Sequence, residues 1–321
     1  MDKKPLAVIV GPTASGKTKV SISLAKIMRA EIISADSMLI YKYMDIGTAK
    51  PILTERENVP HHLIDILEPW QEFSVAQYQK IALRTVDDTH ERGFLPILVG
   101  GTGLYINSVI YPMNFADAGY DPALRAKMLE DLKKYGTHYL HERLRNIDQV
   151  KADAINPNDT KRIMRALEVY QLTGRPMSLN SQDNYRNESS FSLAIVGLNM
   201  ERTKLYQNIN RRVDKMFENG LVEEVKTLKN MGCKACMQSM QGLGYKQVLE
   251  YLEGRMNISE TIELIKRNTR RYAKRQLTWF RRDKRIYWVN IDDVENAQDI
   301  AEISSSHLRR IFTSNREGYS I

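Results

Sequence analysis

The chain of 321 residues is 42% hydrophobic and 27% charged, which suits one large globular domain or two smaller ones. It has no run near the roughly 18 to 20 apolar residues of a membrane span, and its N-terminus lacks the pattern of a secretory signal. These features predict a cytoplasmic protein with no membrane attachment. The formal net charge is +8, and ten Lys or Arg against one Asp between Lys266 and Arg285 give that segment +9. A basic excess confined to one segment indicates a polyanionic partner.

Strand and helix patterns alternate in the N-terminal third of the chain. Residues 6–10 and 95–99 are continuous apolar runs, typical of strands buried on both faces, and residues 31–34 predict a shorter strand. Apolar residues recur at helical spacing over residues 20–28, and residues 73–89 predict a second helix. Strands that alternate with helices predict a parallel α/β sheet.

The character of the sequence changes between residues 115 and 189, which are polar and rich in helical patterns. Asp121, followed by a proline, predicts the start of one helix, and Asp159 predicts the cap of another that runs to about Gln171. The polar stretch 181–190 is typical of a loop. We therefore predict an inserted, all-helical domain at residues 115–189.

The C-terminal part returns to the sheet and then becomes helical. Residues 191–198 predict a buried strand, residues 202–282 are helical nearly throughout, and residues 287–289 predict a last strand. Residues 1–114 and 190–321 are therefore expected to form one α/β core.

The first motif with chemical content lies between the first predicted strand and helix, at residues 11–18. It matches the pattern G-x-x-x-x-G-K-[ST], whose glycines let backbone N–H groups converge on phosphate oxygens. Lys17 supplies a positive charge, and the Thr18 hydroxyl can bind Mg²⁺. The motif predicts a P-loop NTPase-like core that binds a polyphosphate, without distinguishing ATP from other polyphosphates. The predicted loop residues are Gly11, Pro12, Thr13, Ala14, Ser15, Gly16, Lys17 and Thr18.

Two more predicted strands end in candidate functional residues. Asp36 follows the strand at 31–34, so it should lie at the carboxyl edge of the sheet beside the phosphate loop. A carboxylate there can hold a metal, accept a proton or cap a helix. Thr102 lies in a glycine-rich turn, residues 100–103, where the glycines permit close approach of another backbone.

Together with four further segments in order along the chain, these motifs resemble the tRNA dimethylallyltransferases, also called tRNA isopentenyltransferases. The further segments are residues 156–169, 212–221, 242–246 and 269–281. The resemblance implies transfer of a dimethylallyl group from dimethylallyl diphosphate to tRNA, with Mg²⁺ as cofactor. The acceptor it implies is the exocyclic amine of the adenosine 3′-adjacent to the anticodon, and diphosphate is released. We expect a monomer.

The resemblance also implies roles for individual residues. Asp36 matches the general base or hydrogen-bond partner of the adenosine amine, and Thr102 matches a residue at the reaction centre. The phosphate loop, with Lys17, matches the binding site for the diphosphate of the donor, and Arg212 matches an arginine that clamps it. Lys17 is also expected to be catalytic, because its charge stabilises the departing diphosphate. Thr18 is the expected metal ligand. The implied tRNA contacts are Asp36, Ser37, Met38, Leu39, Thr102, Arg125, Asp159, Thr160, Lys161, Arg162 and Ile163.

The basic segment has the spacing of a two-faced helix. Its cations lie mainly three, four or seven residues apart, whereas Ile265, Tyr272 and Trp279 lie seven apart on another face. A solvated charged helix is the ordinary alternative, but the concentration of the net charge favours contact with the tRNA backbone. The cations in question are Arg267, Arg270, Arg271, Lys274, Arg281 and Arg282, of which Arg270, Arg271 and Lys274 are the predicted phosphate contacts.

Two other classes of protein share part of this pattern. An ATP-dependent small-molecule kinase would have the phosphate loop and Asp36, but it would leave the basic segment unexplained. An RNA-binding protein switched by a nucleotide would leave Asp36 and Thr102 without a purpose. Cys233 and Cys236 form a lone Cys-x-x-Cys, which we interpret as two reduced thiols because a structural zinc site needs about four ligands.

Overall fold

The computed structural model describes residues 3–113, 115, 119, 121–182 and 189–317. It divides the chain into two structural units, the first formed by Met1–Ile110 with Ser190–Ile321 and the second by Tyr111–Ser189. The first unit contains all the strands found in the described residues.

A parallel sheet of six strands forms the centre of the first unit. The strands are β1 (Pro5–Val10), β2 (Ala30–Ser34), β3 (His61–His62), β4 (Leu95–Gly100), β5 (Ser192–Asn199) and β6 (Tyr287–Asn290). They lie in the order β3-β2-β4-β1-β5-β6, and every pairing is parallel. β1, β2 and β4 therefore end at one edge, which brings the phosphate loop, Asp36 and Thr102 to the same side of the sheet. The predicted α/β fold with a P-loop-like core is confirmed.

Helices make up most of the remaining described residues. They are α1 (Lys17–Met28), α2 (Val75–Glu91), α3 (Gly103–Ile110), α4 (Pro122–Ile147), α5 (Gln149–Ala154), α6 (Thr160–Thr173), α7 (Met177–Gln182), α8 (Arg202–Glu218), α9 (Leu221–Asn230), α10 (Tyr245–Leu252), α11 (Ile258–Phe280) and α12 (Ala297–Glu317). Short 3-10 turns occur at Leu53–Arg56, Ser239–Gln241 and Ile291–Asp293.

The sheet is buried on both faces, which explains the apolar runs of its strands. On one face, Ile9 and Ile32 pack in a cluster with Leu24 of α1 and Leu308 of α12. α2 packs against β2 and β4, where the buried Tyr78 donates a hydrogen bond from its hydroxyl to the carbonyl of the last residue of β2 (2.9 Å).

All the regular elements among the described residues of the second unit are helices, and both predicted caps are present. Asp121 accepts hydrogen bonds from the first backbone N–H groups of α4, with a proline at the first helical position, and Asp159 caps α6. Gly136 interrupts α4 with a φ of 81°. Of the loop predicted at 181–190, residues 181 and 182 instead end α7, and residues 183–188 lie outside the described residues.

Several elements were not predicted individually from the sequence, among them α3, β3, α5, α7 and α12. β3 has only two residues, too few to show the alternation of a strand, and it exists because His61 and His62 pair with Ile32 and Ile33. α12 is amphipathic, and its buried side includes Ser304, whose hydroxyl donates a hydrogen bond to the carbonyl of Ile300 (2.6 Å).

Candidate functional site

The phosphate loop links β1 to α1 through a backbone path that needs glycine at two points. A Cβ at Gly11 would lie 2.9 Å from the carbonyl oxygen of Leu198, closer than real contacts allow. Gly16 has a left-handed backbone (φ 80°) where α1 begins. The loop is therefore held tightly against β5 and opens into the N-terminus of a helix, the arrangement expected of an anion site.

Lys17 is folded onto the loop itself. Its Nζ donates hydrogen bonds to the carbonyls of Gly11 (2.9 Å) and Pro12 (2.7 Å). Burial, together with the positive charge of Arg212, lowers the pKa of Lys17 to about 7, while the charge of Asp36 opposes this shift. An anion bound in the loop would favour the charged ammonium, so this lysine is poised to respond to a phosphate ligand.

Hydrogen bonds that involve backbone groups join the segments that carry Asp36 and Thr102. Thr102 donates its N–H to the carbonyl of Ala35 (3.2 Å), and its hydroxyl oxygen accepts the N–H of Ser37 (3.2 Å). A Cβ at Gly100 would lie 2.2 Å from the same Ala35 carbonyl, so only glycine permits this approach. Asp36 Oδ1 accepts the N–H of Met38 (2.8 Å), which fixes the carboxylate beside the loop.

Two cavities adjoin at this edge of the sheet. The first, about 300 Å³, is lined by Thr13 to Lys19, Asp36, Leu39 and Arg212 among others. The second, about 440 Å³, is lined by Ser37, Met38 and residues of α8, α10 and α11. The residues that line both cavities are Thr13, Asp36, Thr48, Arg212 and Tyr272. Two ligands, one in each cavity, would therefore meet at Asp36.

Arg212 lies on α8 and is the second cation of the site. Its Nη2 donates to the carbonyl of Thr48 (2.9 Å), which orients the guanidinium, and burial lowers its pKa, opposed by the charge of Asp36. The described residues contain no group of three or more His, Cys, Asp or Glu placed to hold a metal by themselves. A cation bound here would need ligands from outside the protein.

Tyr272 and Gln276 of α11 also line the site, a role that was not predicted for them. The buried Gln276 accepts the N–H of Thr13 (2.8 Å) and donates to the carbonyl of Gly101 (3.0 Å), so it ties the phosphate loop to the turn after β4. Tyr272 lines both cavities, and burial raises its pKa to about 12. The feature of the sequence that could have revealed them is a glutamine four residues after a tyrosine on the apolar face of a basic helix.

The opposite face of α11 and its end carry the exposed cations, as the spacing predicts, with one exception. Arg270 is half-buried, and its Nη1 donates a hydrogen bond to Asn210 of α8 (2.6 Å), so part of its guanidinium is already engaged by the protein. The hundred-degree step between neighbouring residues turns it toward α8. Of the six cations singled out from the sequence, the exposed ones are Arg267, Arg271, Lys274, Arg281 and Arg282.

The candidate tRNA contacts of the second unit have mixed surroundings. Arg125 is paired through both Nε and Nη2 with the buried Glu168 (2.9 and 3.0 Å). Ile163 is fully buried in the core of that unit, so its side chain serves packing. Lys161 and Arg162 are exposed, whereas Asp159 and Thr160 are partly buried at the start of α6.

None of the helices in the described residues is long and apolar enough to cross a membrane. Cys233 is buried and Cys236 exposed, and both are free thiols.

A parallel sheet with a phosphate loop, a carboxylate and two adjoining cavities defines an α/β enzyme of the phosphate-loop class. A family profile described as IPP transferase matches residues 39–283. The chain belongs to this family, the tRNA dimethylallyltransferases, and the resemblance inferred from its motifs is confirmed.

Curated relatives and solved structures support this family assignment. The tRNA dimethylallyltransferase of Carboxydothermus hydrogenoformans is 56% identical over 285 residues, covering 89% of this chain and 91% of the relative. That of Acetivibrio thermocellus is 50% identical over 293 residues, covering 91% and 94%. The full-length tRNA isopentenylpyrophosphate transferase of Bacillus halodurans superposes with a TM-score of 0.73 at 44% identity, covering 98% of this chain and all of that one. A eukaryotic dimethylallyltransferase acting on tRNA gives a TM-score of 0.77 at 28% identity, covering 96% and 77%.

Proposed function

We propose that this protein transfers a dimethylallyl group from dimethylallyl diphosphate to the exocyclic amine of the adenosine 3′-adjacent to the anticodon in tRNA, releasing diphosphate. The observation that carries this proposal is the pair of cavities that share Asp36, Arg212 and Tyr272. The first cavity, with the phosphate loop, would hold the donor, and the second would receive the adenosine.

The groups around the leaving diphosphate make the largest contribution to catalysis, because they stabilise the charge that develops there. An adenine amine is a weak nucleophile, whereas the allylic carbon tolerates positive charge as its bond to the diphosphate oxygen breaks. Negative charge accumulates on the departing diphosphate, and preorganised donors there stabilise the transition state. Lys17, Arg212 and the N–H groups of the loop are the donors we assign to that task. Lys17 would release its loop carbonyls to bind the phosphate oxygens.

Asp36 has the smaller task of orienting the amine and accepting its proton as the new C–N bond forms. Its Oδ1 already accepts the N–H of Met38, so we assign the proton to Oδ2. General-base catalysis of this kind contributes about 10²- to 10⁴-fold. We place Thr102 beside the reacting atoms, where the N–H of Ser37 holds its hydroxyl oxygen.

The residues present fit a Mg²⁺ ion that binds together with the donor. Thr18 and Asp36 line the first cavity, and Mg²⁺ characteristically takes one or two protein oxygens together with substrate phosphates and several waters. When bound, the cation would neutralise charge developing on the diphosphate. Thr18 is the residue we assign as its direct ligand.

The exposed cations of α11 and the stretch that follows it would contact the tRNA backbone. Arg271 and Lys274 keep the role predicted for them, whereas Arg270 would support the helix through Asn210. In the inserted unit, Lys161 and Arg162 are the exposed candidates. A tRNA substrate implies a cytoplasmic enzyme, and we propose that it acts as a monomer.

Turnover with radiolabelled dimethylallyl diphosphate and unmodified tRNA, with and without ATP, tests this proposal. Label that enters tRNA without ATP supports it. Phosphate transfer that requires ATP would favour the kinase alternative. Nucleotide-dependent RNA binding without turnover would favour the switched RNA-binding protein.

A further inference from the structure

Three residues that line the first cavity each carry a buried polar atom with no hydrogen-bond partner among the described residues. These atoms are the hydroxyl oxygens of Ser15 and Ser34 and the Nε2 atom of His61. Ser15 and Ser34 are only 2% and 4% exposed, so solvent does not satisfy them freely. Buried polar side chains in native proteins nearly always have a partner. Three exceptions in one cavity indicate a polar ligand that completes them.

The tautomer of His61 follows from its other ring nitrogen. Nδ1 lies 2.8 Å from the carbonyl oxygen of Val59, which can only accept a hydrogen bond, so Nδ1 carries the proton. Burial lowers the pKa of His61, which favours the neutral ring. The Nε2 atom therefore presents a lone pair and requires a donor.

The strand register places His61 and Ser34 on the same side of the sheet. His61 pairs with Ile32 in the parallel ladder, and Ile32 and Ser34 point the same way because strand side chains alternate. Ile32 packs on the face covered by α1, the helix that begins with Lys17 and Thr18. His62 points to the other face, where its Nε2 bonds Glu31 (2.7 Å).

We propose that Ser34 and His61, with Ser15, bind the water shell of the divalent cation that accompanies the diphosphate. Metal-bound waters are strong donors that suit the lone pair of His61, and serine hydroxyls can accept hydrogen bonds from such waters. The positive charges of Lys17 and Arg212 disfavour a cation alone, so it enters with the diphosphate. This inference rests on the proposed function, because that function supplies the cation and its anion.

The test measures binding of inorganic pyrophosphate by calorimetry at increasing Mg²⁺ concentration, without tRNA or turnover. In His61→Asn the amide can still donate to Val59 but the Nε2 acceptor is lost, whereas His61→Gln places an acceptor near the Nε2 position. His62→Gln, on the opposite face, is the matched control. Ser34→Ala is a second, independent variant, which removes an unpartnered hydroxyl and leaves no new unsatisfied group.

Partners of metal ligands typically tune metal affinity by about 10- to 100-fold. We expect His61→Asn and Ser34→Ala to raise the Mg²⁺ concentration for half-maximal pyrophosphate binding by about tenfold. For His61→Gln this concentration should lie between those of the wild type and His61→Asn. For His62→Gln it should equal the wild-type value. Pyrophosphate affinity in the absence of Mg²⁺ should stay at the wild-type value. With Mn²⁺ in place of Mg²⁺, electron paramagnetic resonance measures the free metal in the presence of pyrophosphate. These measurements should rank the variants in the same order of metal affinity.

An unchanged Mg²⁺ requirement in Ser34→Ala and in folded His61→Asn would overturn the inference. An equal loss of pyrophosphate affinity with and without Mg²⁺ would overturn it too, because these residues would then contact the anion itself. Failure of the wild-type protein to bind pyrophosphate at any Mg²⁺ concentration would instead remove the proposed donor site, and this inference with it.

Discussion

Gln276 offers the sharpest test of how the site is assembled, because one side chain holds two backbone segments. Replacement by methionine keeps nearly the same length and helix propensity but removes both hydrogen bonds. The N–H of Thr13 and the carbonyl of Gly101 would then lose their partners. The phosphate loop should therefore lose part of its order, while the buried face of α11 stays packed.

The magnitude follows from the cost of leaving buried backbone groups unpaired, about 1–3 kcal/mol for each. Thr13 is half-buried beside a cavity, so water can reach the freed groups and the lower figure applies, about 2 kcal/mol for the two. If the loop becomes disordered in the free protein to avoid this cost, it must be ordered again when pyrophosphate binds. Pyrophosphate should then bind about 30-fold more weakly.

Calorimetric titration of Gln276→Met with pyrophosphate measures this effect. Thr278→Met, an exposed position on the same helix, is the matched control and should bind as the wild type does. Gln276→Glu keeps an acceptor for Thr13 but adds negative charge beside the diphosphate, so it should bind more weakly than Gln276→Met. Wild-type affinity in a folded Gln276→Met protein would refute the assignment of Gln276 as the tie between the two segments.

Three further predictions concern the loop, the carboxylate and the basic helix. Lys17 is charged below its pKa of about 7, so pyrophosphate affinity should fall as pH rises above 7, by up to tenfold per unit, and Lys17→Ala should lose this additional pH dependence. The same variant should lose turnover far more than tRNA affinity, and an equal loss of both would contradict its assignment to the diphosphate. Asp36→Asn should slow single-turnover transfer by about 10²-fold or more with pyrophosphate affinity nearly unchanged, and a near-normal rate would exclude the proposed role. Joint replacement of Arg267, Arg271 and Lys274 by Gln should flatten the salt dependence of tRNA binding by about two units, whereas an unchanged slope would mean a merely solvated face.

Much of this site could be predicted because its parts are contiguous in the chain. Residues 11–18 combine a strand end, a glycine turn and a helix start in one motif. Asp36 and Thr102 follow their strands directly, so a parallel sheet alone brings them to one edge. Local sequence carries the information in each case.

The rest depends on packing between distant segments, which leaves little local trace. Gln276 and Thr13 are 263 residues apart, and a buried glutamine on a helix has no distinctive pattern. The pairing of Arg270 with Asn210 likewise depends on how α8 lies against α11. The orphaned nitrogen of His61 becomes visible only when β3 is seen to pair with β2.

We propose that the enzyme's donor is a prenyl diphosphate and its acceptor an adenosine of tRNA. The most direct measurement digests tRNA to nucleosides after reaction with labelled dimethylallyl diphosphate and compares the labelled adenosine with the diphosphate released. We predict one labelled adenosine, prenylated on its exocyclic amine, for each diphosphate, without ATP. Diphosphate release without labelled adenosine, or label elsewhere in the tRNA, would contradict the account.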